Sequence, residues 1–456
     1  MTLIIVFIII LGFLLIATES ITKVNKAASA IFAGTLGWVL YICYGTDFVT
    51  NLYLREYDEF LDGAMHTGSM VKLFISQSIF LPYVGRAAEI VLFLLATMTI
   101  VEILNNNGCF DFITPLLKTR SSKKMLWTLS TITFLLSANL DNLTTSVMML
   151  TIMHRIVPNR KQRLILGAAI IIAANCGGAM TVIGDPAGLF LWNLEAVTAT
   201  SFSMTLFIPC LVACGIPIYM LGRLLPERVE TEWIPMPYRG EDTRLNVWQR
   251  LVMLFVGIGG LWFIPSFHHL TKLSPFLGAL CVLAVLWIVN EIFNRKLVVS
   301  DITILHKTPW VLQYGVIQMM LFVMGVMLMI GVAEETGAVH WFISQSGIYI
   351  RNMWAMGLTA GLVSSFFDNF ATAISFFSLS PIDSISHIGV VNQNDSYWMI
   401  IAFASSVGGN LLCIGSMSGM AYMKMERVKL GWFFKNVTWM SFLGMVLGIL
   451  VMYALM

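Results

Sequence analysis

Apolar runs with almost no charge, at residues 2–17, 87–101, 201–222, 274–289 and 437–455, recur along the whole chain. A helix that crosses a bilayer needs about 20 such residues, because hydrocarbon solvates neither a charge nor a free backbone group. Only 11% of the residues are charged, against about 25% in soluble domains, and the mean hydropathy is +0.82. These values exclude a water-soluble enzyme, a disordered chain and a nucleic-acid binder. The formal charge of +2 gives no polyanion a handle. The expected fold class is an all-α polytopic membrane protein, with the lipid bilayer as its first partner.

Ten segments read as spans: about 2–17, 27–45, 87–104, 164–192, 201–222, 249–266, 274–293, 311–333, 398–423 and 437–455. Two more, about 125–153 and 353–380, are too long for one span and too short for two with a turn, which need about 40 residues. The first is flanked by Lys118, Arg120, Lys123 and Lys124 before it and by Arg155, Arg160, Lys161 and Arg163 after it. Basic flanks stay in the cytoplasm, so this segment is a re-entrant hairpin. With 353–380 treated alike, the connections 18–26, 105–124, 154–163, 223–250, 294–310 and 424–436 lie inside and hold 22 of the 27 Lys and Arg. Both termini then lie outside. The long outside connection 46–86 is acidic in its early part, and Met70–Tyr83 is expected along the membrane surface. Residues 223–248, with Pro226, Pro235 and Pro237, form a cytoplasmic linker between halves 1–222 and 249–456.

The halves repeat each other. Ser137-Ala-Asn-Leu-Asp141-Asn142-Leu-Thr144-Thr145 answers Ser364-Ser-Phe-Phe-Asp368-Asn369-Phe-Ala-Thr372 at an offset of 227. Asn175-Cys-Gly177-Gly178, running to Gly184-Asp185-Pro186, answers Val407-Gly408-Gly409-Asn410, running to Gly415-Ser416, at an offset of 231. Five spans and one hairpin per half is an odd count, so the two repeats are expected to be inverted. Inverted repeats with Gly-interrupted helices in matching positions point to a secondary transporter.

Each hairpin carries one buried acid, Asp141 or Asp368, followed by Asn142 or Asn369. A carboxylate in hydrocarbon costs at least about 2.5 kcal/mol, so it must be paired, protonated or bound to a cation. Asp-Asn is equally good capping chemistry for a half-helix, and the two roles are compatible. The pairs Gly177-Gly178 and Gly408-Gly409 are expected to break the spans about 164–192 and 398–423 and to free carbonyl oxygens, although glycine also permits close helix packing. With Asn175, Thr181, Ser405, Asn410 and Ser416 they supply oxygen in the quantity that a hard cation prefers. Asp185 has no acidic counterpart, since Ser416 stands in its place; it carries the proton or caps the half-helix begun by Pro186. Glu102, Glu334 and Glu335 sit near span ends, where acids usually meet interfacial water. His154, at the hairpin exit, is a pH sensor or an ordinary interfacial residue. No Lys or Arg stands within the motif segments.

No phosphate-cradling loop, His-Glu-x-x-His or Gly-x-Gly-Asp occurs, and the seven cysteines show no CxxC spacing. No cofactor and no enzymatic activity are expected. Two transport readings remain: competition of a cation and a proton for buried carboxylates, or Na⁺-coupled uptake of an anion, which needs positive charge or helix N-termini at the substrate.

Ser137–Met148, Ala174–Pro186, Ser364–Thr372, Val407–Ala421 and Leu94–Glu102 resemble the signature segments of NhaD-type sodium/proton antiporters, within the ion-transporter superfamily of inverted-repeat carriers. The resemblance covers roughly residues 90–435. It implies exchange of cytoplasmic Na⁺ or Li⁺ for external H⁺ at alkaline pH, in a bacterial inner membrane, by a protein that is often a homodimer. It also implies cation and proton roles for Asp141, Asn142, Thr144, Thr145, Asn175, Asp185, Asp368, Asn369, Ser405 and Ser416; Gly177, Gly178, Thr181, Thr372, Gly408, Gly409 and Asn410 are candidates from the repeat. Ala187-Gly188 and Ala371 depart from the family pattern and bear on ion selectivity.

Overall fold

The computed structural model describes residues 2–63, 65–232, 245–294, 310–346, 352–379 and 393–455. Pro235, Pro237 and the residue expected to close the second hairpin, 380, lie outside them. The described residues are helical throughout apart from short connections, and their one isolated β-bridge joins Ser121 to Arg228.

In chain order the helices used below are α1 (Thr2–Ala17), α2 (Lys26–Cys43), α3 (Gly68–Asn106), α4 (Ser122–Ser137), α5 (Asn142–Ile156), α6 (Arg160–Met180), α7 (Pro186–Asn193), α8 (Ala199–Leu221), α9 (Val247–Thr271), α10 (Pro275–Phe293), α11 (Trp310–Glu335), α12 (Met353–Ser364), α13 (Asn369–Ser378), α14 (Ser396–Gly408), α15 (Met417–Glu426) and α16 (Leu430–Leu455). Eight of them, α2, α3, α6, α8, α9, α10, α11 and α16, are long and apolar enough to cross a membrane. The two other expected spans are α1, with 16 residues, and the interrupted pair α14–α15. Met70–Tyr83 does not form a separate surface segment: it opens α3, which runs on through a π-turn at Ile75–Phe80, with Val71, Phe74, Ile75 and Ile79 buried.

Helices α4 and α5 form the first hairpin, 122–156 rather than 125–153. The amide of Ser122 donates to the Glu227 carbonyl and that of Val229 to Arg120, while Glu232 donates to Ile156. Six residues of chain reach about 20 Å at most, so the segment 227–232 ties both feet of the hairpin to one end of the bundle.

The broken pairs α6–α7 and α14–α15 run in opposite senses. At one end Arg163 Nε lies 2.9 Å from Glu426 Oε2 and Arg160 donates to the Arg427 carbonyl. At the other end Asn394 donates to the Ala196 carbonyl and accepts from the Thr198 amide at 2.7 Å. The start of each pair therefore sits beside the finish of the other. Small residues let the remaining helices close up. Gly34 of α2 lies against Gly325 and Leu328 of α11, Gly257 of α9 against Leu104 of α3, and Gly444 of α16 against the Ala213 carbonyl of α8.

One expectation about glycine is corrected here. Gly177 and Gly178 do not interrupt their helix, which continues to Met180; the break is 181–185. A Cβ on Gly177 would stand 2.3 Å from the Phe134 carbonyl oxygen, and one on Gly408 would stand 2.2 Å from that of Gly361. Both glycines let a hairpin arm press against a broken helix. The second pair does coincide with a helix end, since α14 stops at Gly408.

Candidate ion site

Four half-helices begin in the middle of the bundle, and each is capped by a residue of the repeated motifs. Asp141 Oδ1 accepts from the Thr144 amide at 2.9 Å, Asp368 Oδ1 from Phe370 at 3.0 Å, Asp185 Oδ1 from Ala187 at 3.0 Å and Ser416 Oγ from Gly419 at 3.0 Å. Helix N-termini leave amides unpaired, and Asp and Ser side chains are well suited to satisfy them. All four caps are buried.

Braces around the caps recur at the two sequence offsets. Asn142 donates its amide to the Gly184 carbonyl, and Asn369 donates to that of Gly415. Ser137 Oγ donates to the Ala174 carbonyl, and Ser364 Oγ donates to that of Ser405. Each hairpin tip is thus fastened to the broken helix of its own half.

Asp185 joins the halves. Its Oδ2 accepts from Asn142 Nδ2 at 3.1 Å, from Asn369 Nδ2 at 2.8 Å and from Ser406 Oγ at 3.1 Å. Asn175 makes a second junction, donating to Asn410 Oδ1 and to Ser416 Oγ, both at 2.9 Å. Asn410 donates in turn toward Cys176 Sγ at 3.7 Å.

Asp141 differs from these satisfied groups. Its Oδ2 has no hydrogen-bond partner, nor have Thr145 Oγ1, Asn175 Oδ1 and Thr372 Oγ1. The Thr144 hydroxyl stands beside the Asp141 carboxyl. A buried unpaired oxygen costs about 1–3 kcal/mol, and Asp141 and Thr145 place two of them within one helical turn, which suits an oxygen-seeking guest. The last four carbonyls of α6 also lack helical partners, and two of them belong to Gly177 and Gly178.

Other candidates are spent on the fold. Thr181 Oγ1 donates to the Ala138 carbonyl and accepts from the Gly184 amide, which locks the break. Ser405 Oγ donates back into its own helix, to Ile401 and Ala402. A Cβ on Gly178 would stand 2.6 Å from the Gly184 carbonyl oxygen, and one on Gly409 would stand 3.0 Å from that of Gly415. Both serve close packing.

Of the accessory acids, Glu102 lines a narrow crevice with Asn105, Thr144 and Met148, so it faces the Asp141 turn. Glu334 and Glu335, at the far end of α11, accept from Tyr83, and Glu335 also accepts from Tyr53. Ser378, at the end of α13, donates to Glu334. His154 Nδ1 lies 2.7 Å from Glu426 Oε1, in the group that ties α5 and α6 to the end of α15.

Two participants were missed. Ser406 stands at the offset of 231 from Asn175 and was available to the repeat argument. Lys26 falls in the connection 18–26, which the charge pattern places in the cytoplasm. It is the first residue of α2, buried, with its Nζ on Asp368 Oδ2 and 4.6 Å from the centre of the Phe322 ring. The motif segments hold no basic residue, but the site does.

The family described as "CitMHS: Citrate transporter" matches residues 1–391. A "Sodium/proton antiporter 1" of Arabidopsis thaliana is 32% identical over 80% of this chain and 61% of its own length, so the chain spans less than two thirds of that relative. "Sodium/proton antiporter 2" of the same plant is 30% identical over 81% of this chain and 86% of its own length. A "Na(+)/H(+) antiporter NhaD" of Vibrio parahaemolyticus is 25% identical over 77% of this chain and 86% of its own length. The resemblance to NhaD-type antiporters is borne out.

Proposed function

The chain belongs to the family described as CitMHS citrate transporter, and from that premise we propose that it exchanges sodium ions for protons. It is a multi-pass membrane transporter and not an enzyme. The observation that carries the reading is the unpaired Asp141 Oδ2, buried beside the Thr144 hydroxyl, with the unpaired Thr145 hydroxyl on the same helical turn. Na⁺ and Li⁺ take oxygen ligands, as hard cations do. One carboxylate that binds either a cation or a proton is enough for exchange, because the empty charged site crosses hydrocarbon at high cost.

The opposed running sense of α6–α7 and α14–α15, together with the recurring braces, supports two inverted repeats of about five spans and one hairpin each. The crevice shared by Glu102 and Thr144 supports a cytoplasmic route to Asp141, with Na⁺ or Li⁺ leaving and H⁺ entering. The bacterial inner membrane and a homodimer belong to the same reading.

The family's description as citrate transporters favours a second reading, Na⁺-coupled uptake of a carboxylate. It needs positive charge at the substrate. Lys26 is the one fully buried Lys or Arg among the described residues, and it is engaged by Asp368. That weakens the anion reading.

The test is dequenching of a pH-sensitive dye in everted vesicles on addition of NaCl, LiCl or KCl. Exchange predicts a response to Na⁺ and Li⁺ that Asp141→Asn abolishes. No response to any cation, with Na⁺-dependent citrate uptake, would transfer the assignment to the carboxylate carrier.

A further inference from the structure

We propose, on the reading that Asp141 holds the transported cation, that the matching pocket at Asp368 is also a cation site and that the ammonium group of Lys26 is its resident cation. The same pocket is built twice. Asp141 and Asp368 each cap a half-helix, and each is followed one turn later by a buried threonine, Thr145 or Thr372, whose hydroxyl has no partner. Each is braced by the following asparagine amide on the carbonyl of Gly184 or Gly415.

The two copies differ in what meets the second carboxylate oxygen. Asp141 Oδ2 is unpaired, whereas Asp368 Oδ2 is held by Lys26 Nζ. The first pocket has the additional hydroxyl of Thr144; the second has Ala371 at the corresponding position. An ammonium group needs fewer ligands from its host than a bare ion does, because the Phe322 ring face completes its surroundings as a cation–π contact.

Nothing in α2 itself calls for a lysine at this place. Lys26 is the first residue of the helix, where the helix dipole disfavours positive charge. The partner that stabilises it comes from the other half of the chain. A tethered ammonium fills the second pocket without being released, so the two halves are alike in form and unlike in use: one pocket carries, the other is permanently occupied.

Equilibrium binding of radioactive Na⁺ to the purified full-length protein at alkaline pH tests this. Wild-type protein is expected to bind one Na⁺ per chain. Lys26→Met empties the second pocket, so it should bind two, and the Hill slope of Na⁺-driven exchange should rise from about 1 to about 2. Methylammonium should displace one of the two ions from Lys26→Met. Two ions bound by wild-type protein would overturn the inference, whether or not the variant folds. One ion bound by both proteins would overturn it while leaving the antiporter reading intact. No binding by wild-type protein would contradict the antiporter reading and take this inference with it.

Discussion

Asn369 Nδ2 lies 2.8 Å from Asp185 Oδ2, so an amide of the second half is spent on a carboxylate of the first. Asn142 and Ser406 share the same oxygen. Asp185 is therefore a knot between the halves, fully supplied with donors, whereas Asp141 keeps an oxygen in reserve. The two acids look alike in sequence and differ in their surroundings: Asp185 Oδ2 is shared by donors of both halves, whereas Asp141 Oδ2 has no partner, which is what the proposed cation role requires.

Replacing Asp185 by Asn puts an amide group opposite three donors. Hydrogen bonds to a charged group contribute about 1.5–3 kcal/mol each, so Asp185→Asn should lower the melting temperature measurably and slow exchange at least tenfold. Wild-type melting and exchange would show that the knot is not needed.

Thr144→Val keeps the shape of the Asp141 turn and removes one oxygen. Losing a ligand that binds ground state and transition state alike raises KM and spares the maximal rate. An increase in the Na⁺ KM of about tenfold, corresponding to about 1.4 kcal/mol, is expected. An unchanged KM would remove Thr144 from the ligand set.

Competition for one carboxylate fixes the sign of the pH dependence. Lowering the pH fills more of the sites with protons and leaves fewer for Na⁺. The apparent KM for Na⁺ should rise about tenfold per pH unit once the site titrates, by proton linkage, while the rate at saturating Na⁺ changes much less. Dye dequenching at several Na⁺ concentrations and pH values measures both quantities. A KM that ignores pH would mean separate sites for the two ions.

The packing glycines make a prediction independent of transport. Gly177→Ala and Gly408→Ala drive a methyl group into a backbone carbonyl, and overpacking of this kind costs about 1–3 kcal/mol. Gly215, in α8, has nothing within 4 Å of its prospective Cβ, so Gly215→Ala should be neutral or stabilising by up to about 1 kcal/mol. Thermal unfolding in detergent separates the three.

What the sequence disclosed follows from what repeats in it. Asp141, Asp368 and Asp185 were legible as caps because each precedes a half-helix, Ser416 was legible as the counterpart of Asp185 at the offset of 231, and Ser406 was legible by the same arithmetic. Lys26 was not. Counting charges along the chain assigns a lysine near a span end to the cytoplasm, and only the packing of α2 against α11 brings its ammonium to Asp368. Gly177 and Gly178 were misread as a break because glycine serves two purposes. Their lack of a side chain is used by the neighbouring carbonyls of Phe134 and Gly184 respectively, and the helix turns aside only at 181–185, where Asp185 and Pro186 start a new one.

Proteoliposomes containing only this protein give the most direct measurement. An outward-directed proton gradient is imposed, and uptake of radioactive Na⁺ is followed with and without citrate. The account predicts Na⁺ uptake that needs the proton gradient, ignores citrate and is lost in Asp141→Asn. Uptake of Na⁺ only when citrate accompanies it, or exchange that survives Asp141→Asn, would contradict it.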